Sequence, residues 1–302
     1  MNSQRITVHV PASTSNLGPG FDCIGLALDV WNESVFSFEQ EGRTITWNGY
    51  QPEIESKPEN DLVFQAFSKF CVFHGASLPA NLHIDCTNRI PIGAGMGSSA
   101  AATLTGLLAA DAWLGTNVSK NDLLQLALSI EGHPDNSAPS IFGGLVGMST
   151  DENTVCAHSF PIAPWNTVIL IPQMNLPTKT ARKILPETIL RKDAIFNIGH
   201  AILVMQALAE GNEELLQFAM KDRLHQPYRI PLITGSEAII KAAEDTGAAA
   251  GLSGAGPGII AFTMTDPNHL LSRMVAASER AHLKIETLTP KISSSGAYVT
   301  IQ

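Results

Sequence analysis

The sequence predicts an α+β protein, and three observations carry that expectation. Segments of helical and of strand period interleave in both halves of the chain. Several strand segments nonetheless follow one another directly, which argues against a doubly wound parallel sheet. Two glycine-rich turns, PIGAGMGSSAAA at 91–102 and GLSGAGPG at 251–258, adjoin strand segments, one in each half.

In order along the chain, Ile6, Val8 and Val10 alternate with polar residues, as do Leu26, Leu28 and Val30, so two strands are expected to flank a polar loop, PASTSNLGPGFDCIG. Residues 60–73 read as a helix and 82–87 as a strand leading to the first glycine turn. Residues 99–114 form a helix of small and apolar residues, expected to be buried on most sides. The next helix starts at SKND, where Ser119 and Asp122 resemble a capping box, and ends at Gly132. The stretch 151–166 breaks the pattern and reads as a domain junction. Beyond it come a strand at 167–172, a polar loop QMNLPTKTAR, helices between about 194 and 246, a strand at 259–263, a helix at 269–283 and a strand at 284–290.

Composition bounds the function. At 302 residues, 44% hydrophobic and 16% charged, the chain has room for two domains and ample core. Its net charge of −9 and 19 scattered Lys and Arg argue against a nucleic-acid partner, so any phosphate site must be local. Cys23, Cys71, Cys86 and Cys156 show no C-x-x-C pairing; reduced thiols in a cytoplasmic protein are expected, with neither zinc site nor disulfide framework. The start, MNSQRITVHVP, carries no apolar leader run, and no stretch has the roughly 18 apolar residues of a membrane span.

Gly93, Gly95 and Gly97 are spaced G-x-G-x-G with no following lysine, which fits neither a Walker A loop nor a dinucleotide fingerprint. Glycines that free the backbone, followed by Ser98, Ser99 and a run of alanines, still suit an anion held on backbone N–H groups at a helix start. A tight turn ahead of a buried helix is the other reading. Glu131 closes the helix that starts at SKND at its negative end, where a carboxylate is disfavoured by a few tenths of a kcal/mol to about one. With His133, Asp135 and Asn136 it makes a polar cluster, and Glu131 with Ser98 or Ser99 would suit Mg²⁺ shared with phosphate oxygens.

These blocks carry a resemblance. PIGAGMGSSAA resembles the central motif of the GHMP kinase superfamily, whose members include galactokinase and mevalonate kinase. VPASTSNLGPGFDCIGLALD, EGHPDNSAPSIFGG, TKTAR at 178–182, DRLHQPYR at 222–229 and GLSGAGPG are similar, in order and over nearly the whole chain, to its homoserine-phosphorylating branch. The resemblance implies Mg²⁺-dependent transfer of phosphate from ATP to the side-chain hydroxyl of L-homoserine, in threonine biosynthesis, by a homodimer. It implies a two-domain fold: an N-terminal nucleotide-binding domain, 1–155, like the second domain of ribosomal protein S5, and a ferredoxin-like domain, 156–302.

The nucleotide would lie on Pro91, Ile92, Gly93, Ala94, Gly95, Met96, Gly97, Ser98, Ser99, Ala100 and Ala101. Many members of the family carry arginine at the position of Ala94, so here phosphate binding would lean on backbone amides and metal. Ser98 and Glu131 are the implied metal ligands. Arg182 and Arg229 match positions that hold the amino-acid carboxylate, and Asn16 and Asp22 those at the amino-acid end, Asp22 facing the ammonium. His133, Thr178 and Gly256 complete the substrate set. Asp135 and Asn136 stand nearest the attacking hydroxyl, Asp135 orienting it or acting as base. Asn60 to Val63 are candidates for the adenine. Another small-alcohol kinase, or a noncatalytic ligand sensor on the same fold, are the alternatives; the intact serines and glutamate count against the sensor.

Overall fold

The computed structural model describes residues 5–50, 57–152, 154–174 and 176–302; the first four residues of the N-terminal segment read above lie outside them. Among the described residues eleven strands form two sheets. In the first, β1 (Ile6–Asn16) and β2 (Gly20–Ser37) make a long antiparallel hairpin. Beside it, β4 (Leu82–Asn88) pairs antiparallel with β2 and β3 (Arg43–Gly49) parallel with β4. Besides β1, the eighteen-residue β2 serves two further neighbours: Glu33–Ser37 meets β4, whereas Ile24–Leu26 meets β5 (Leu145–Asp151), which carries β6 (Thr154–Phe160). The last strand, β11 (Tyr298–Ile301), returns to pair with β1. Against the expected division at 155/156, both β6 and β11 therefore belong to the first sheet, and the chain leaves it only after residue 160.

Alternation puts Ile6, Val8, Val10, Leu26, Leu28 and Phe36 at 0% exposure, under α1 (Leu62–Phe73) and α2 (Ser98–Leu114). Asp61 caps α1 by accepting from Val63 N. The N-terminal half of α2 is buried nearly all round, as its small residues foretell. α3 (Lys120–Glu131) starts on the Ser119 cap and ends on Gly132 as expected, and a short α4 (Ser137–Phe142) follows. The predicted loop 11–25 is mostly strand: β1 runs to Asn16 and β2 resumes at Gly20. Its polar Ser13, Thr14, Ser15 and Asn16 are buried because they bond to the loops of the site rather than to water.

The second sheet contains β7 (Asn166–Pro172), β8 (Ala249–Leu252), β9 (Ile259–Thr263) and β10 (Ile285–Leu288), all antiparallel, in the order β10-β7-β9-β8. Numbered along the chain, that is 4-1-3-2, with helices after the first and third strands, the split β-α-β arrangement expected of a ferredoxin-like unit. Between β7 and β8 lie α5 (Thr178–Lys183), α6 (Arg191–Glu210), α7 (Glu213–Ala219), α8 (Gln226–Arg229) and α9 (Ser236–Glu244); α10 (Pro267–Arg280) precedes β10. The segment read as a polar loop through Arg182 is thus helical from Thr178. Among the described residues no helix is long and apolar enough to cross a membrane.

Candidate active site

A cleft of about 420 Å³ opens between the two sheets, lined by the first glycine turn, the GHPDN segment, the end of β1 and residues of α5 and α8. Its framework is the polar end of β1. Ser13 Oγ donates to Asn136 Oδ1 (3.1 Å), and Asn136 Nδ2 donates to Ser15 Oγ (3.2 Å). Asn16 Nδ2 donates to the Gly254 carbonyl (2.8 Å), while its Oδ1 accepts from the Asp22 amide (3.0 Å). One strand end thereby joins two loops that are far apart in sequence, the GHPDN segment and the second glycine turn, and ties itself to the start of β2. Asn16, Leu17 and Asp22 hold positive φ (72°, 44° and 57°), a conformation that asparagine and aspartate tolerate best.

The glycine turn needs its composition. Gly93, Gly95 and Gly97 all have φ near +70°, and a Cβ on Gly95 would lie 1.9 Å from the Ser253 carbonyl oxygen. The two glycine turns are therefore in contact, and Ser253 Oγ secures them by donating to the Gly95 carbonyl (2.7 Å). Residues 92–99 line the cleft ahead of α2, whose N-terminus Gly97 leaves without a side-chain cap. Free N–H groups at the positive end of a seventeen-residue helix favour an anion. Pro91 faces a smaller cavity on the other side of the turn, and Ala100 and Ala101 are buried in the core, so these three shape the turn without lining the cleft. Ala94 lines it at 1% exposure.

Glu131 accepts from Ser99 Oγ (2.8 Å) and from Thr103 Oγ1, so hydroxyls of α2 compensate the carboxylate at the end of α3. Ser99 rather than Ser98 reaches it; Ser98 lines the cleft. One carboxylate with serine hydroxyls fits Mg²⁺ carried in on a polyphosphate, because this ion keeps few protein ligands and completes its shell with phosphate oxygens and water. Among the described residues no group of three or more His, Cys, Asp or Glu could hold a metal ion.

Asp135, 2% exposed, lines the cleft and accepts from His133 Nδ1 at 2.8 Å. Burial pushes its carboxyl up, but the hydrogen bond and charge of His133, with Ser15 and Arg182, outweigh it and hold Asp135 below the ordinary aspartate value. Burial lowers His133, and Asp135 more than restores it, leaving the imidazole above its usual range.

At the α5–α8 end, Arg182 forms a bidentate pair with Asp22, Nη1 to Oδ2 at 2.9 Å and Nη2 to Oδ1 at 2.6 Å. Asp22 is thus turned to Arg182 and does not line the cleft, which Arg182, Arg229, Thr178, Asn16 and His133 do. Arg182 Nε is buried with no hydrogen-bond partner among the described residues. Arg229 is 1% exposed, and burial together with the Arg182 charge lowers it to about 10. Both guanidiniums stand over the Phe21 ring, at 5.5 and 5.2 Å. Among the described residues Arg229, unlike Arg182, bonds to no carboxylate, although the charges of Asp22, Asp135 and Asp222 reach it, and this leaves its fork open to an anionic ligand. Of the second glycine turn, Gly254 and Ala255 line the cleft, whereas Gly256 packs toward Ile233.

Asn32, Trp47 and Asn88 also line the cleft, beside Asn60, Asp61, Leu62 and Ile92. Trp47 Nε1 donates to Asp61 Oδ2 (2.7 Å), fixing the indole at this end. Nothing in the sequence marks the first three, which come from strands whose neighbours are set only by the fold.

Residues 61–144 match the GHMP kinases N terminal domain and residues 204–278 the GHMP kinases C terminal domain. The chain is 39% identical over 297 residues to a homoserine kinase of Nostoc punctiforme, covering 96% of this chain and 94% of that one. It is 43% identical over 267 residues to a homoserine kinase of Caldicellulosiruptor bescii, covering 87% and 85%. Its fold is similar to the crystal structure of homoserine kinase from Cytophaga hutchinsonii, with a TM-score of 0.87 at 27% identity over 98% of this chain and 97% of that one. L. major mevalonate kinase, at 13% identity and a TM-score of 0.71 over 95% and 96%, shares the fold.

Proposed function

Because the chain belongs to the GHMP kinase family, within its homoserine kinases, we propose that it transfers the terminal phosphoryl group of ATP to the side-chain hydroxyl of L-homoserine. The product, O-phospho-L-homoserine, serves threonine biosynthesis. The observation that carries the reading is one cleft with an anion cradle at one end, two guanidiniums at the other and an ionised, buried aspartate in its lining.

The backbone amides of residues 93–99 and the start of α2 hold the phosphates, and Trp47 with Asn60–Leu62 supplies the wall for the adenine. Glu131 with Ser98 and Ser99 would hold Mg²⁺, which when bound neutralises phosphate oxygens. Arg229 and Arg182 take the amino-acid carboxylate, with Asn16, Thr178 and His133 around the rest of the substrate. The homoserine ammonium would share the Asp22 carboxylate with Arg182. Asp135 accepts the hydrogen of the attacking hydroxyl and aims its oxygen. A carboxylate held below its ordinary value is a poor proton acceptor, so orientation is its main contribution. Phosphoryl transfer tolerates this, because its loose transition state depends on positioning and charge stabilisation. The oxygen–phosphorus bond forms as the bond to the ADP oxygen breaks, and the hydroxyl proton passes to an oxygen of the transferred phosphoryl group and from there to water.

The reading includes a two-domain organisation about this cleft and a cytoplasmic setting, the latter supported by four unpaired cysteines. It also includes a homodimer through α6. Residues 194–209 contain no Asp, Glu, Lys or Arg, and Ile195, Ile198 and Ile202 are 62–65% exposed. With Met205 they follow the 3-4-3 spacing of a helix-pairing seam. An antiparallel second copy would bring Arg191 and Lys192 of one helix to Glu210 of the other.

The test is ADP release with Mg·ATP and L-homoserine, L-serine, L-threonine, mevalonate or shikimate. Turnover with homoserine far above the others is expected. A preference for another alcohol would refute the amino-acid roles, and no turnover with any would favour a sensor.

A further inference from the structure

We propose that His225 is a positioning residue that sets the plane of Arg229 and ties it to the turn at Gly18. This rests on the reading of Arg229 as the carboxylate holder. The His225 ring is fully buried. Its Nδ1 faces Arg229 Nη1 at 3.1 Å and its Nε2 faces the Gly18 carbonyl oxygen at 2.8 Å. A guanidinium can only donate and a carbonyl oxygen can only accept, so both neighbours demand the same state: proton on Nε2, lone pair on Nδ1. Protonation would put an Nδ1 hydrogen against the Arg229 cation. Burial and that cation accordingly hold the imidazole below its ordinary value, against Asp222, whose Oδ2 lies 3.5 Å from Nε2.

Among the described residues Arg229 has one other hydrogen bond to protein, from Nε to the Ala181 carbonyl (3.0 Å). Two acceptors, one on Nε and one on Nη1, define the plane of the fork and leave its remaining donors for a ligand in the cleft. The far side of the relay is equally constrained. Gly18 has φ +73°, and a Cβ there would lie 2.3 Å from the Met220 carbonyl oxygen, so its carbonyl has little freedom to move. Gly18 joins β1, with Asn16, to β2, with Asp22; through one imidazole the turn between them is registered against α8. Asp222 secures the histidine from behind by accepting from the Leu224, His225 and Gln226 amides at 2.8, 2.9 and 2.6 Å. His225 touches none of the reacting atoms on this account.

Two amide variants separate the halves of the relay. In His225→Asn the side-chain oxygen stands near the Nδ1 position and can still accept from Arg229. In His225→Gln the amide reaches toward the Nε2 position and serves Gly18 while Arg229 loses its acceptor. Steady-state kinetics of the full-length protein, with thermal melting as a control, should show KM for homoserine rising at least tenfold in His225→Gln and less than threefold in His225→Asn. KM for ATP should stay within twofold in both. Equal homoserine KM values in both variants and wild type, or losses confined to melting temperature, would overturn the positioning role. Arg229→Lys is the control for the premise: an unchanged homoserine KM there would overturn the reading of Arg229 itself, and the role of His225 with it. A raised KM in Arg229→Lys beside unaffected His225 variants would overturn the relay alone.

Discussion

Asp135→Asn removes one charge from the cleft and almost nothing else. The amide oxygen can still accept from His133 Nδ1, now 2.8 Å away, and the shape of a side chain that is 2% exposed is kept. What is lost, on the proposed role of Asp135, is a charged acceptor for the attacking hydroxyl. Hydrogen bonds to charged groups contribute about 1.5–3 kcal/mol, which at about 1.4 kcal/mol per factor of ten lowers kcat about tenfold to 150-fold. Folding should suffer less than the 3–5 kcal/mol typical of a broken buried pair, because the acceptor remains. The assay is coupled ADP release under saturating ATP and homoserine, with melting temperatures measured alongside. A loss beyond about four orders of magnitude in a well-folded variant would refute orientation and establish obligatory base catalysis. An unchanged kcat would remove Asp135 from the reaction.

Three further outcomes are expected. Gly95→Ala places a methyl group where the Ser253 carbonyl stands and strains a residue at φ +73°, so KM for ATP should rise at least tenfold with a lower melting temperature; unaltered nucleotide binding would contradict the contact between the glycine turns. His133, raised by Asp135, contributes stability fully present below its unfolded value of 6.5 and lost as pH rises through the folded value. Asp135, lowered, contributes above 3.8 and loses it as pH falls through its folded value. The melting difference between wild type and His133→Asn should therefore be largest at about pH 5 and shrink by about pH 9, and a difference constant with pH would show that the pair carries no charge. Ile198→Glu with Ile202→Glu should convert a dimer to a monomer in sedimentation, and a dimer surviving both changes would place the interface elsewhere.

What the sequence disclosed and what it hid follow from range. The glycine turn, the Ser119 cap, the Gly132 terminus and the polar cluster at 131–136 are local signals, in which each residue's neighbours along the chain determine its conformation. Alternation likewise revealed Ile6–Val10 and Leu26–Val30 as strands. Buried Ser13–Asn16 read as loop because their partners, Met96, Asn136 and Gly254, lie 83 to 238 residues away. β6 looked irregular because, apart from Val155, its described residues lie at an edge and do not alternate cleanly in burial. Trp47, Asn32 and Asn88 needed the strand order before they could be seen as neighbours. The pairing of Asp22 with Arg182 has the same origin: two residues given separate tasks by motif prove to be 2.6 Å apart once β2 and α5 are assembled. Phe21, between the two arginines, gave no signal beyond being an aromatic in a glycine-rich stretch.

The most direct test of the central claim is the identity of the phosphorylated product. With Mg·ATP and L-homoserine, phosphorus NMR should show one phosphomonoester, its signal coupled to the two hydrogens of the terminal side-chain methylene, appearing in step with ADP. Inorganic phosphate alone, or phosphate on the carboxylate, would contradict the proposal that the arginines take the carboxylate and the hydroxyl faces the glycine loop.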